Sequence, residues 1–209
     1  MVKNPKTLLE EFFEKYSEII FWEENLNYED KNSSDLKKYQ HNEMSKKINI
    51  SAYKKTKNDF YDLQYWRLNV IDMCQNIIGK KISGKCMEIG SGQGLATGYI
   101  SSKKDVENVI ALDYSISSLK NLMPKAHYEL KGVDPSKIKR VYGSFDSIKE
   151  KNLDFVFGFG ALHNSKDLFK SFKSIYDSLN ENSFLISSDM CENFQTSIWS
   201  QRIGKLFGW

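Results

Sequence analysis

The stretch Glu88-Ile89-Gly90-Ser91-Gly92-Gln93-Gly94 constrains this chain more than any other. Three glycines alternate behind an acid, and the short apolar run CMEIG leads into them. Glycine tolerates left-handed backbone angles and lets backbone amides come close to a ligand. A helix opening at Leu95 would add partial positive charge at its N-terminus. A second acid, Asp113, closes the next apolar run, VIALDY, nineteen residues beyond Gly94. That separation is near the ~20 residues expected for a carboxylate that accepts hydrogen bonds from a ribose diol.

The pattern continues. From Lys85 onward, the runs CMEIG, VIALDY, IKRVYGSF, LDFVFGF and SFLISSD read as five strands, with helices starting near Leu95, Ser115 and Lys166. Strands alternating with helices imply an α/β fold with a mostly parallel sheet and flanking helices. Upstream, Asn4 and Pro5 form a helix start. Leu8, Leu9, Phe12, Phe13, Tyr16, Ile19 and Ile20 then recur at helical spacing. A second helix is predicted from about Asp59 to Ile78, with Leu63, Trp66, Val70, Cys74 and Ile77 on its apolar face and Gly79 as its stop. Residues between Asn25 and Lys57 are polar and lack a period. Phe194 to Trp209 reads as one amphipathic helix.

The expected organisation is an N-terminal helical cap over residues 1–79, an α/β core over 80–189 and a C-terminal helix over 190–209. Tyr53, Phe60, Tyr61, Tyr65 and Trp66 are positioned either to face a substrate from above or to cement the cap to the sheet. With no hairpin after the fifth strand, that strand keeps an open edge, which is a pairing liability. A second copy of the chain, an additional chain, the tail or further sequence would cover it.

Two nucleotide readings compete at the glycine loop. The dinucleotide fingerprint GxGxxG would need a third glycine where Leu95 stands. The spacing is instead acid-x-Gly-x-Gly-x-Gly. In this, segment 86–189 resembles the core of the class I, Rossmann-like S-adenosylmethionine-dependent methyltransferases, especially the small-molecule group. The resemblance covers roughly half the chain.

The resemblance implies a role for each matching residue. Glu88 would steady the loop and face the methionine end of the cofactor. Gly90, Ser91, Gly92 and Gly94 would admit that end against the backbone. Asp113 would hold the ribose hydroxyls, and Tyr114 would lie against the adenine. Ser144, in Gly143-Ser144-Phe145, stands where the family often carries an acid that reads the adenine edge; its hydroxyl or the Phe145 amide would serve instead. Phe157 to Leu162, Gly158 included, would line the pocket near the sulfonium. At the mouth of a cleft, Asp113 is expected to matter little for folding.

His163, after the fourth strand, is the candidate catalytic base. An unperturbed imidazole with a pKa of about 6.5 suits that task. The alternative for His163 is a hydrogen bond within its loop. No proline follows the fourth strand, so the Pro-Pro motif of the amino-methylating DNA enzymes is absent.

Bulk properties exclude several classes. The net charge of +3 is too small to argue for nucleic acid. No apolar run approaches the ~18 residues of a membrane span, and the acidic N-terminus does not suit a signal peptide, so a cytoplasmic protein is expected. Cys74, Cys86 and Cys191 are scattered without a CxxC pair, and His41, His127 and His163 lie far apart, so no metal site is expected. Asp154, Asp189 and Glu192 remain able to gather near the pocket. Gly79 to Cys86 nearly matches a phosphate-binding loop, but it precedes a strand and carries Cys86 where Ser or Thr is needed.

The expected activity is therefore S-adenosylmethionine-dependent methyl transfer to a hydroxyl or amine of a small organic molecule. The alternatives are a non-catalytic or auxiliary methyltransferase-like module in a larger assembly, and an NAD(P)-dependent oxidoreductase.

Overall fold

Cys86, Met87, Glu88 and Ile89 are all buried, so the strand leading into the glycine loop has both faces covered, as in a sheet with helices on each side. The computed structural model describes residues 10–22, 57–130 and 132–189; of residues 57–67 and 129 it describes the backbone alone. The strands are β1 (Ile20–Phe21), β2 (Gly84–Ile89), β3 (Val106–Asp113), β4 (Ile138–Tyr142), β5 (Leu153–Phe159) and β6 (Leu179–Ser188). From residue 57 onward the helices of the described residues are α1 (Lys57–Ile78), α2 (Leu95–Ser101), α3 (Met123–Glu129) and α4 (Leu168–Ser178).

The six strands form one sheet in the order β1-β4-β3-β2-β5-β6, and every neighbouring pair is parallel. From β2 the chain winds outward through β3 to β4. It then returns to the other side of β2 for β5 and β6. The strand order thus reverses between β2 and β5, and in open α/β sheets ligands bind at the carboxyl ends of the strands at such a switch point. Alternation along the strands sends side chains to two cores. Met87, Ile89, Ile110, Leu112 and Val156 lie on one face with Ile175 of α4. Cys86, Val109, Phe155 and Phe157 lie on the other, with Ile71 of α1 and Ile100 of α2.

All five strands expected after Lys85 are present. The first expected helix is shorter than its periodicity implied: within the described residues it covers 10–13, and the chain then turns. Ile20 and Phe21 pair instead with Val141 and Tyr142 as a strand. Two causes favour this. Isoleucine and phenylalanine suit a pleated surface, and the outer edge of β4 offers backbone groups that need partners, one of which is met when the Trp22 amide donates to the Tyr142 carbonyl at 3.0 Å.

Helix α1 begins two residues earlier than expected and ends at Ile78, where Gly79 adopts φ 65°. Of its expected apolar face, Val70 and Cys74 pack against the core, while the side chains of Leu63 and Trp66 lie outside the described residues. Ile77 is 74% exposed, and Ile71 is fully buried. The helix expected near Ser115 widens into a π-helical turn at Ser118–Leu122 before α3. The widening falls immediately before Pro124, whose missing N–H removes one regular helical hydrogen bond. Tyr53, the side chains of Phe60, Tyr61, Tyr65 and Trp66, and the expected C-terminal helix all lie outside the described residues.

Candidate functional site

The end of β2 meets the start of α2 in the glycine loop, and three side chains hold that loop. Glu88 shares its strand face with Cys86, the face on which α2 packs. Helix α2 has Gly94 at its N-cap, with no side chain to cap it. The first amides of a helix lack intrahelical partners. Glu88 supplies one: its Oε2 accepts from the Thr97 amide at 2.7 Å and from the Thr97 hydroxyl at 2.5 Å. Glu88 is only 4% exposed, so these bonds offset the cost of burying a polar side chain. Thr97 carried no sequence signal of its own.

Asp113 ends β3 on the neighbouring strand. Its Oδ2 accepts from the Gly92 amide at 2.7 Å, and its Oδ1 accepts from the Ser115 amide at 2.7 Å. The carboxylate therefore braces the glycine loop as well as its own turn. A carboxylate oxygen accepts more than one hydrogen bond, so this bracing is compatible with a ribose diol as a further donor. Asp113 is buried, at 6% exposure, which does not suit an acid that matters little for folding.

The third support was missed in the sequence. His127 of α3 is fully buried, and its Nε2 lies 2.5 Å from the Gly94 carbonyl. Burial pushes its pKa down to about 4. The ring is therefore neutral near pH 7 and donates through Nε2. Its only sequence trace is the spacing of Gly94 and Gly98, one helical turn apart. A Cβ on Gly94 would lie 2.8 Å from His127 Nε2, and one on Gly98 3.1 Å from it.

Gly92 differs from its neighbours in the loop. Its φ is 51°, and a Cβ built on it would meet nothing within 4 Å. The loop thus opens to free volume at Gly92. Ser91 is 5% exposed, and its hydroxyl has no hydrogen-bond partner among the described residues. An open backbone face beside an enclosed, unpartnered hydroxyl fits a polar ligand group lying against the loop.

On the other side of the switch point, Ala161 abuts the loop: a Cβ on Gly90 would lie 2.7 Å from the Ala161 Cβ. Two residues on, His163 Nδ1 stands 3.0 Å from Asp189 Oδ1. Asp189 follows β6, so the ends of two adjacent strands bring the pair together. A carboxylate only accepts, so the His163 proton sits on Nδ1 and the Nε2 lone pair is its basic site. The second oxygen of Asp189, Oδ2, is enclosed and has no hydrogen-bond partner among the described residues.

Tyr114 is half-buried beside Asp113. The Ser144 hydroxyl accepts from the Asp146 amide at 3.1 Å and so caps a short 3-10 turn. Phe145 packs in the core with Val141 and Ile148. Gly158 lies within β5, where a Cβ would meet Ile89 Cγ1 at 3.1 Å. Phe157 and Phe159 point into the core that α1 covers. Asp154 does not join Asp189. It is the second residue of β5, at the opposite end of the sheet, and accepts from the Lys85 amide at 2.9 Å. Cys86 is a buried thiol with its pKa pushed up to about 12, by burial first and then by the Asp154 charge, so it behaves as a small apolar side chain. Among the described residues, no helix is long and apolar enough to cross a membrane.

Comparison with known proteins agrees with this geometry. A family model described as "Methyltransferase domain" matches residues 87–187, just under half of the chain. No curated protein matches the sequence. Among solved structures, the YcgJ protein of Bacillus subtilis is 16% identical with a TM-score of 0.50, over 66% of this chain and 58% of its own. A candidate S-adenosyl-L-methionine-dependent methyltransferase from Methanococcus maripaludis is 22% identical with a TM-score of 0.48, over 74% of this chain and 71% of its own. The candidate methyltransferase in the complex with the Trm112 methyltransferase activator of Haloferax volcanii is 14% identical with a TM-score of 0.49, over 70% of this chain and 62% of its own. The chain thus spans less than two thirds of the YcgJ protein's length. Residues 87–187 belong to the methyltransferase-domain family, with the Rossmann-like class I fold, whose methyl donor is S-adenosylmethionine.

Proposed function

We propose that this protein transfers a methyl group from S-adenosylmethionine to a hydroxyl or amine of a small organic molecule, with His163 as the base. The observation that carries the base assignment is the 3.0 Å bond between His163 Nδ1 and Asp189 Oδ1, beside the glycine loop. Glu88 and Asp113 would shape the loop, the backbone at Gly92 and the Ser91 hydroxyl would meet the methionine end, and Asp113 would hold the ribose. Tyr114 would flank the adenine.

The bound donor supplies a methyl on a good leaving group, so the protein's task is chiefly alignment. An acceptor hydroxyl also has a proton to lose. His163 Nε2 would take it while Asp189 holds the ring orientation and balances the imidazolium charge that forms. A neutral amine can attack before losing its proton and gains less from a base, so the pair favours a hydroxyl. The net charge of +3 supports a small acceptor over nucleic acid. The outer edge of β6, paired only with β5 among the described residues, would suit a second copy or an additional chain.

Calorimetry with S-adenosylmethionine, its demethylated product and NADH tests the donor. Binding of the first two without NADH is expected, and NADH binding without donor binding would overturn the reading. Donor binding without turnover across a panel of hydroxyl and amine acceptors would instead indicate a non-catalytic module.

A further inference from the structure

We infer that Tyr16 and His127 are positioning residues of the donor site, holding the Gly94 carbonyl so that donor affinity depends on the N-terminal segment 10–22. The inference rests on the donor reading above.

The chain of contacts is continuous. Gly94 uses its amide within the loop, donating to the Ser91 carbonyl at 2.7 Å. Its carbonyl accepts from the Gly98 amide at 2.8 Å and from His127 Nε2 at 2.5 Å. Since a carbonyl cannot donate, His127 carries its proton on Nε2 and must accept at Nδ1. The donor there is the Tyr16 hydroxyl, at 2.5 Å, from 111 residues away in the sequence. The tyrosine is 8% exposed, and burial raises its pKa further above the ordinary value, so the hydroxyl keeps its proton.

Tyr16 is itself fixed. The Arg140 guanidinium of β4 lies 4.8 Å from its ring centroid, donates to the Ser17 carbonyl at 2.6 Å and donates to the Leu119 carbonyl at 3.1 Å. Four residues past Tyr16, Ile20 enters the sheet beside Val141. The segment is thus anchored to β4 on one side and to the glycine loop on the other.

Glu88 and Asp113 act on the loop from the ends of the strands next to it. His127 acts from α3, and among the described residues the partner of its Nδ1 comes from the N-terminal segment. Two groups that bias one element are energetically coupled, and the coupling is reciprocal. The donor should therefore tighten segment 10–22 as the segment tightens the donor site.

The test uses the full chain and S-adenosylmethionine. Tyr16→Phe keeps the ring under Arg140 and removes only the hydroxyl. Donor affinity is expected to fall roughly threefold to tenfold, the range of one buried hydrogen bond. His127→Leu should fall further than His127→Gln, which retains a donor for the Gly94 carbonyl. Ile175→Val, in the core under α4, serves as a variant with a similar loss of stability and should bind as wild type. Donor should slow proteolysis at Lys15 in the wild type and do so less in Tyr16→Phe. Nitrogen chemical shifts of His127 should show the Nε2–H form, with the Nδ1 signal moving in Tyr16→Phe. Wild-type affinity in both Tyr16→Phe and His127→Leu would overturn the inference, as would an equal loss in Ile175→Val. A wild-type protein that fails to bind the donor would overturn the donor reading itself, a result distinct from either.

Discussion

Asp113 Oδ2 accepts the Gly92 amide at 2.7 Å, so the acid that ends β3 holds the loop that follows β2. The other oxygen of the same carboxylate accepts the Ser115 amide. Removing the carboxylate orphans two amides at once. Hydrogen bonds to charged groups are worth roughly 1.5–3 kcal/mol each. Asp113→Ala is expected to lower unfolding stability by roughly 3 kcal/mol and donor affinity by about tenfold or more. Asp113→Asn keeps one acceptor and should lose less of both. Denaturant unfolding and donor calorimetry on the two variants check this, and an Asp113→Ala protein as stable as wild type would contradict the bracing role.

Gly92 and Gly94 should respond differently to alanine. Both adopt positive φ, at 51° and 72°, which costs a non-glycine residue roughly 1–2 kcal/mol. At Gly92 there is otherwise open space, so Gly92→Ala should cost about that much in stability while sharply weakening donor binding. At Gly94 the new Cβ would press on His127 and Met123, each at 2.8 Å. Gly94→Ala should therefore be clearly the less stable of the two in thermal unfolding.

His163 and Asp189 should act as a unit. His163→Ala is expected to spare donor affinity and lower kcat for a hydroxyl acceptor by roughly 10²–10⁴-fold, the usual range for a lost base. Asp189→Asn should lower it by less. The double variant should be little worse than His163→Ala, because Asp189 works through the imidazole. Additive losses in kcat would argue against the pair.

The buried imidazole makes stability depend on pH. The folded pKa of His127 lies at about 4, against about 6.5 in an unfolded chain. Between those values the unfolded state binds more protons, so stability rises with pH. The contribution is complete above pH 6.5 and is lost as the pH falls toward 4, with a span of ~3 kcal/mol. Tyr16 and Arg140 contact the ring system but do not titrate in that range. Unfolding midpoints measured from pH 7 to pH 4 should fall more steeply in wild type than in His127→Gln.

What the sequence by itself determined was the local chemistry of the core. The alternation of CMEIG, VIALDY and their successors with helical stretches set the five strands, because period and propensity act over a few residues. Glu88, Gly92 and Asp113 stood out for the same reason: their spacing follows from one βαβ unit, which is short. Periodicity failed where a distant partner decided the outcome. Ile19 and Ile20 continue a helical pattern, yet Ile20 and Phe21 form a strand because the edge of β4 was available to pair. Asp154 and Asp189 looked alike as acids near strands; only the parallel register puts one at each end of the sheet. His163 meets Asp189 because β5 and β6 end side by side. Tyr16 reaches His127 across 111 residues through packing around Leu119, Met123 and Ile138. No local pattern encodes such contacts, since hydrogen bonds and burial depend on which surfaces the finished sheet brings together.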